Sequence, residues 1–268
     1  MQEKTALHPQ ALPITTGDNF RELGGYPTQD GRQIKTHKVL RSGLLGNLDA
    51  HDLAFLTDYG VRWDVDFRSR DEVERQPDRV PDQAVYQYRP VFDYDQTQNS
   101  QTIDELKQRY QNQPNSAHQH MLQVYHNLVA DPHAKQTYRQ FFATLLSNTN
   151  PDEAVLFHCT AGKDRTGLGA VLFETALGVA PEVIWQDYLL TNQTAAPHIE
   201  KRLAELKAAD ASEDVLQNIH ALLTVHPDYL NTALKEIKAE AGSVSAFLQQ
   251  ELALSAGDIR DLQQLYLQ

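Results

Sequence analysis

Apolar runs and helical spacings divide the chain into a strand-rich opening and a helical second half. Runs of apolar residues predict buried strands at 61–67, 85–92 and 154–158. Apolar positions at helical spacing predict helices at 47–59, 138–146 and 166–177, with Gly60 and Gly178 placed to end the first and the last. The same spacing predicts later helices at 183–192, 199–209, 215–223, 229–241 and from 244 onward. We therefore expect one α/β domain over residues 1–268.

Two local motifs refine this pattern near the beginning of the chain. The pair Asp30-Gly31 is a hairpin turn signal, because both residue types tolerate positive φ, and it predicts paired strands within 19–45. Ser69 and Glu72 have the spacing of a capping box, which predicts a short helical turn after the strand at 61–67.

The segment 95–134 differs from the rest of the chain because it is rich in Gln, Asn and His and has only scattered apolar residues. We expect a helical insertion. Its position after a strand makes it a candidate lid over a site that the strands build, and a solvated surface excursion is an equally good interpretation.

Composition narrows the possible partners. With 36 acidic and 24 basic residues the net charge is −12, which argues against nucleic acid or an anionic membrane as a partner. The first 30 residues show no export signal, and no run of 18 apolar residues predicts stable membrane insertion. A single cysteine excludes an internal disulfide framework. We expect a cytoplasmic protein, or a secreted one if an export signal has been removed.

The single cysteine lies in the sequence HCTAGKDRTG, residues 158–167, between a predicted strand and a predicted helix. A loop of this kind directs its backbone N–H groups and the positive end of the helix at one point, which attracts anions. With Cys159 at the end of the strand and Arg165 at the start of the helix, the amides of residues 160–165 can converge on a phosphate that the guanidinium also binds. The same positive surroundings favour the thiolate of Cys159 as a nucleophile.

Two other interpretations of this loop were weighed. A lone buried cysteine is often a small apolar filler, and the spacing of Cys159 and Arg165 alone is a weak pattern. The Gly-Lys pair also suggests a nucleotide-binding loop, but that motif requires glycine and Ser or Thr where Phe157 and Asp164 stand. The nucleotide-binding interpretation is therefore rejected.

The complete string resembles the signature loop of the cysteine-dependent protein tyrosine phosphatases, and more narrowly the bacterial tyrosine and phosphoinositide phosphatases with a C-x-x-G-K-D-R loop. The segments NFRELGGY at 19, LRSGLL at 40, DFRSRDE at 66, DYLLTN at 187 and PDYLNTAL at 227 are similar to the same family in order and approximate spacing. This resemblance covers nearly the whole chain. It implies a three-layer fold of the tyrosine phosphatase type, with a central, mostly parallel sheet flanked by helices and a helical C-terminal part.

The resemblance also implies roles for the loop residues. Cys159 would attack phosphorus and Arg165 would bind and stabilise the phosphoryl oxygens. The phosphate-binding residues would be Thr160, Ala161, Gly162, Lys163, Asp164 and Arg165. Gly162 would allow either a close approach of the backbone to phosphate or a positive φ. Lys163 is associated with substrates that carry more than one phosphate, although its side chain can also simply point into solvent.

The general acid is the least secure assignment. The resemblance implicates Asp164, whereas many tyrosine phosphatases carry the acid on a separate loop, where Asp93 or Asp95 stand in this chain. Asp164 is preferred. Among supporting residues, Thr166 can donate to the sulfur or cap the helix, and His158 can fix the loop through ring hydrogen bonds or be an ordinary core histidine.

Two further groups carry weaker signals. Asp66 and Arg68 end a predicted strand and can support the site, but an internal ion pair explains them nearly as well. His118, His120, His126 and His133 form a loose cluster without a metal-binding motif. No metal and no cofactor is predicted.

The function predicted from the sequence is a protein-tyrosine phosphatase, with dual specificity as an extension. It would hydrolyse phosphotyrosyl proteins through a phosphocysteine intermediate. The alternative substrate is a phosphoinositide, and a catalytically silent phosphate-binding module is a further alternative.

Overall fold

The computed structural model of the protein describes residues 11–268, so the prediction that no export signal is present falls partly on residues 1–10, outside the described residues. Five strands form one sheet in the order β1-β2-β5-β3-β4. The strands are β1 (Arg21–Glu22), β2 (Val39–Ser42), β3 (Val61–Asp66), β4 (Val85–Tyr88) and β5 (Ala154–His158). Only the pairing of β1 with β2 is antiparallel within this sheet.

The register aligns the carboxyl ends of the three middle strands. His158, the last residue of β5, lies opposite Ser42 of β2 and Asp66 of β3. The segments that follow these strands therefore leave the sheet at one edge, and this is the edge at which open α/β sheets usually bind ligands.

Both faces of the sheet are buried along β2 and β5, as the apolar run of β5 requires, whereas the edge strand β4 is largely exposed. Along β5, Val155 and Phe157 join a large core that includes most of the helices, whereas Leu156 faces a smaller core under the first helix. Helices thus cover the sheet on both sides. The predicted fold class, a three-layer α/β fold with a mostly parallel sheet, is confirmed.

Twelve helices follow the predicted pattern within the described residues. They are α1 (Ala50–Tyr59), α2 (Arg70–Arg75), α3 (Ile103–Tyr110), α4 (Ser116–Ala130), α5 (Pro132–Ser147), α6 (Arg165–Ala176), α7 (Pro181–Thr194), α8 (Ala196–Ala208), α9 (Glu213–Leu223), α10 (Pro227–Ala241), α11 (Val244–Gln250) and α12 (Ala256–Tyr266). None within residues 11–268 combines the length and apolar character needed to cross a membrane.

The local motifs act as their chemistry predicts. Gly60 ends α1 with a φ of 92°, in the left-handed region that glycine adopts without strain. Gly31 has a φ of 89° and lies in the turn between Pro27 and Gln33, two residues that form an antiparallel β-bridge. Ser69 precedes α2, and both its backbone N–H and its hydroxyl donate to the carboxylate of Glu72.

One strand is shorter than its apolar pattern predicts. The run 85–92 predicts a strand, yet β4 ends at Tyr88. Pro90 follows two residues later and has no N–H to donate, so the regular ladder cannot continue through it. Backbone bonds from Arg89 to Asp66 and from Val91 to Phe67 still hold this stretch beside β3.

The polar segment 95–134 is helical, as predicted, but it is not uniformly solvated. It contains α3, α4 and the beginning of α5. α4 buries apolar side chains, among them Met121, Val124 and Leu128, and packs against α9 and α10. The surface-excursion interpretation therefore fails for α4, which belongs to the core. Whether the earlier part of the segment moves as a lid stays a prediction.

Candidate active site

The candidate nucleophile lies at the junction that the sequence predicts. Cys159 directly follows β5, Arg165 is the first residue of α6, and both side chains are buried. Between them, Gly162 has a φ of 66° and its Cα lies against the backbone of Ser42, where an added Cβ would overlap the Ser42 carbonyl. Residues 159–165, called the signature loop below, therefore need glycine at 162 for two separate reasons.

The outer face of the signature loop is held by hydrogen bonds to three successive carbonyl groups. The backbone N–H of Leu44 donates to Thr160 O at 3.0 Å. Asn19 Nδ2 donates to Ala161 O at 3.1 Å and to Gly162 O at 3.0 Å. Arg41 Nη2 also reaches Gly162 O, at 3.0 Å.

The inner face carries donors without partners. Within residues 11–268, the backbone N–H groups of Ala161, Gly162 and Lys163 make no hydrogen bond, and neither does the buried Nε of Arg165. Buried donors are rarely left unpaired in folded proteins. A set of them around one loop indicates a site built for an anion.

Arg165 is oriented by the carboxylate of Glu72, which lies in α2, the helix that follows β3. Its Nη1 and Nη2 donate to Glu72 at 2.6 and 2.8 Å in a fork, and Nη2 also donates to the Thr97 hydroxyl at 3.1 Å. Burial alone would favour the neutral acid, but the Arg165 guanidinium lowers the pKa of Glu72 to about 2. Nη2 bonds both Glu72 and Thr97, whereas Nη1 bonds only Glu72, so Nε and the second N–H of Nη1 are left to bind an anion.

Glu72 is a site residue that the sequence argument used only as a helix cap. It accepts bonds from Ser69 and from the Thr160 hydroxyl in addition to those from Arg165. The capping box was the available signal for its carboxylate, but a pairing across 93 residues of sequence could not be found from local spacing.

Asp164 and Lys163 form a buried pair beside the loop. Lys163 Nζ lies 2.7 Å from Asp164 Oδ2 and is buried, so the interpretation in which this lysine points into solvent is wrong. The Tyr125 hydroxyl donates to Asp164 Oδ1 at 2.9 Å, and Asn99 Nδ2 donates to Oδ2 at 3.3 Å. Asp164 is thus connected both to the core helix α4 and to the segment before α3.

The alternative acids lie outside the signature loop, although Asp95 is close enough to Arg165 for its charge to raise the pKa of that guanidinium. The Asp93 side chain is 86% exposed and sits 3.9 Å from His133. Asp95 accepts bonds from the Thr97 hydroxyl and from the backbone and hydroxyl of Ser100, which is local loop bonding. Neither residue lines the cleft that leads to the signature loop.

His158 anchors the loop from beneath within a buried ionic cluster. Its Nε2 lies 3.2 Å from both Asp64 and Asp78, and its Nδ1 lies 3.3 Å from Cys159 O. Burial opposes the charged ring, but the surrounding carboxylates, Asp78 first, raise the pKa of His158 well above its usual range. These ring contacts are those of a residue that fixes the loop.

Asp66 and Arg68 belong to the same cluster. Arg68 donates to Asp66 through Nε and Nη2 and to Asp78 at 2.7 Å. The internal ion pair predicted as one explanation of these residues is therefore present, and it lies one layer beneath the signature loop.

Thr166 follows Arg165 in the first turn of α6. Within the described part of the chain its buried hydroxyl has no hydrogen-bond partner, so neither the predicted bond to the sulfur nor a helix cap is formed. Like Arg165 Nε, it is a buried donor left unpaired.

The four histidines of 118–133 do not come together as a metal site. His120 bonds Gln96 O, His126 pairs with Glu236, and His133 bonds Pro90 O. His118 lies 3.6 Å from Asp228, so the four histidines have four different partners.

A cleft of about 420 Å³ opens on the signature loop. The loop contributes Thr160, Ala161 and Lys163 to its lining, and residues 98–101 and α8 form its walls. The lining also includes basic side chains that the sequence analysis did not single out: Arg75, His198, Lys201 and Arg202. α8 has an ordinary amphipathic sequence, so nothing local marks it as part of a site.

The strand β5, a loop with a buried cysteine and arginine, and the helix α6 form the arrangement that the resemblance to tyrosine phosphatases predicts. The sequence profile of the tyrosine phosphatase family matches residues 12–268. The chain therefore belongs to the tyrosine phosphatase family, and the predicted enzyme class, a protein-tyrosine phosphatase, is confirmed.

Individual relatives agree with this assignment. The chain is 32% identical over 256 residues to a putative tyrosine-protein phosphatase of Cupriavidus necator, an alignment that covers 93% of this chain and 86% of the relative. It is 27% identical to the triple specificity protein phosphatase PtpB of Mycobacterium tuberculosis, over 86% of this chain and 90% of that protein. A tyrosine-protein phosphatase of Nostoc commune is 30% identical over 59% of this chain and 49% of its own length.

Proposed function

We propose that this phosphatase hydrolyses phosphotyrosyl proteins through a phosphocysteine intermediate on Cys159. The observation that carries the proposal is a set of donors in the loop that begins with Cys159: three backbone amides and the buried Arg165 Nε, none of which has a hydrogen-bond partner within the described residues. Oriented donors of this kind stabilise the charge that develops on phosphoryl oxygens without having to reorganise during the reaction.

In the first step the Cys159 thiolate attacks phosphorus, the S–P bond forms and the bond to the phenolic oxygen breaks. Arg165 Nε and the amides of the signature loop hold the three remaining phosphoryl oxygens. A phenolate is a poor leaving group, and Asp164 supplies the proton that it takes up. The geometry supports Asp164 over Asp93, because Asp164 is a buried residue of the signature loop whereas the Asp93 side chain is exposed and lies beside His133.

In the second step water attacks the phosphocysteine, the S–P bond breaks and the thiolate leaves. The Asp164 carboxylate accepts the proton of the attacking water. The unpaired Thr166 hydroxyl, at the start of α6, is the group that we assign to stabilising the departing sulfur. Inorganic phosphate is then released and the site returns to its starting state.

Access to the sulfur requires movement of the segment over the site. Cys159 is fully buried, and Thr97 and Asn99 reach across to Arg165 and Asp164. We assign the lid role within 95–134 to the part before α3, because α4 is held in the core. We retain the prediction of a single domain, and that of a cytoplasmic location with secretion as the alternative if an export signal has been removed.

A second candidate substrate is a phosphoinositide. The basic side chains that line the cleft favour it, since Arg75, Lys201 and Arg202 can contact phosphates beyond the one at the loop. Against it, Lys163 is paired with Asp164 and is not free to bind an additional phosphate.

Parallel assays of phosphate release test the proposal. Phosphotyrosyl peptides and inositol phospholipids are compared with the wild type, and Cys159→Ser serves as the inactive control. We expect turnover of the peptides that the Ser variant abolishes. Turnover of the lipids alone would replace the substrate, and full activity in Cys159→Ser would overturn the mechanism.

A further inference from the structure

Four buried side chains beneath the signature loop come from three separate segments of the chain. Asn19 and Arg21 belong to NFRELGGY, Arg41 to LRSGLL and Asp187 to DYLLTN. The catalytic steps above use none of them. We call these four residues the bracket.

The bracket is one continuous hydrogen-bonded network. Asp187 accepts from Arg21 Nε at 3.0 Å with one oxygen and from Arg41 Nη1 with the other. Arg21 Nη1 in turn donates to Asn19 Oδ1. Asn19 and Arg41, the two members that contact the loop, are therefore both oriented by other members of the bracket.

Asn19 has a single possible orientation in this network. Its Oδ1 accepts from Arg21 and from the Thr194 hydroxyl, so its Nδ2 must face the loop. Its backbone φ of 59° lies in the left-handed region, which asparagine adopts more easily than most residues. Both the side chain and the backbone conformation thus favour asparagine at this position.

The geometry points to a positioning role: the bracket orients the inner-face amides of the signature loop for binding phosphate. The peptide unit is planar and trans, so the C=O and the N–H of one unit point in opposite directions. Asn19 and Arg41 hold the carbonyls of Ala161 and Gly162 on the outer face. The amides of Gly162 and Lys163 are thereby turned toward the inner face.

Charge in the bracket supports the same role. Two arginines meet the carboxylate of Asp187, and the neighbouring Glu174 is buried with its pKa raised well above its usual range, by burial first and then by Asp187. The two arginines and the single Asp187 carboxylate of the bracket give an excess of positive charge beneath the loop at which we propose that phosphate binds. This inference rests on the proposed function, since it concerns the same phosphate site.

Matched variants separate positioning from simple loss of stability. Asn19→Gly removes the amide and keeps positive φ accessible, and Asn148→Gly removes a buried amide that binds Glu153 O at the opposite edge of the sheet. Arg41→Met removes a buried cation near the carboxyl end of β2. Its control, Lys38→Met, removes a buried cation just before the amino end of the same strand, where Lys38 donates to the carbonyls of Asn150 and Glu153.

The measurements are the Kd for inorganic phosphate by calorimetry, kcat/KM for an aryl phosphate, and Tm. We expect both bracket variants to weaken phosphate binding at least about tenfold and to lower kcat/KM by at least as much, since the amides bind the transition state more strongly than the ground state. The two control variants are expected to lower Tm but to change the phosphate Kd less than about twofold.

The possible failures are distinguishable. If the wild type does not bind phosphate, the proposed function falls and the inference falls with it. If the wild type binds and the folded bracket variants bind equally well, the positioning role alone is wrong. If Arg41→Met does not fold, Asn19→Gly decides, because it removes no charge.

Discussion

The two faces of the signature loop differ in how their polar groups are used. On the outer face the carbonyls of Thr160, Ala161 and Gly162 are all bonded to protein groups. On the inner face, within the described residues, the amides of Ala161, Gly162 and Lys163 have no hydrogen-bond partner, and neither does the buried Arg165 Nε. An anion at the inner face would complete the hydrogen bonding. The protein bonds on the outer face therefore fix the loop in a shape that leaves the inner-face donors available to a ligand.

The largest effect is expected from the inner face, at the guanidinium. Arg165→Lys keeps a positive charge but loses the fork to Glu72 and the free Nε together. We expect kcat/KM for an aryl phosphate to fall about 10³-fold, a loss typical of removing a preorganised donor. Steady-state kinetics with circular dichroism as a folding control measure it. Activity within tenfold of the wild type would show that the inner face does not bind the transition state.

The next effect separates the two acid candidates. Asp164→Asn is expected to slow substrates with poor leaving groups about 10²-fold and activated aryl phosphates far less, because only the former need a proton. Asp93→Asn serves as the comparison and is expected to leave both rates near the wild type. A series of aryl phosphates of rising leaving-group pKa measures the difference. The reverse ranking would move the acid to Asp93.

A third prediction concerns the carboxylate that aims Arg165. Glu72 has a pKa of about 2 against an ordinary value of 4.5, so its ionised form stabilises the fold above about pH 4.5, and this contribution is lost as the pH falls toward 2. Glu72→Gln is expected to cost roughly 3 kcal/mol of unfolding free energy at neutral pH and to lower kcat/KM about 30-fold.

Urea unfolding at several pH values checks this sign. The difference in unfolding free energy between the wild type and Glu72→Gln should shrink below about pH 4.5. A difference that stays constant from pH 7 to pH 3 would mean that the ion pair with Arg165 does not carry the effect.

The smallest effect is expected from the segment over the site. Thr97→Val removes a hydroxyl that bonds Arg165 and Asp95 but touches no loop amide. We expect KM to change by about threefold or less and kcat to stay near the wild type, because in the proposed mechanism the segment before α3 releases this bond before substrate enters. A large fall in kcat would instead place Thr97 in the catalytic machinery.

The sequence predicted those parts of the site that depend on neighbouring residues. β5, the signature loop and α6 follow from an apolar run, a glycine and a helical spacing within one short stretch, and the structure has them where the pattern places them. Gly60 and the Ser69–Glu72 cap are local for the same reason.

The parts that escaped prediction depend on contacts between distant residues. Asn19, Arg41 and Asp187 lie in three segments that resemble the family. Nothing in the sequence shows that they meet, and only the folded chain brings them beneath one loop. For Lys163, a side chain that points into solvent was one of two interpretations. The structure instead pairs Lys163 with the adjacent Asp164, which also bonds Tyr125 of α4, so the burial of the pair depends on a distant helix. Sequence spacing cannot report burial of this kind.

The phosphocysteine intermediate is tested most directly by rapid quenching of the wild-type enzyme in acid during turnover of an aryl phosphate, followed by mass spectrometry of the peptide that contains Cys159. Phosphate bound to the Cys159 sulfur is expected, together with a burst of phenol equal to the enzyme concentration. An unmodified thiol throughout turnover with no burst, or phosphate bound to a different residue of the chain, would contradict catalysis through Cys159.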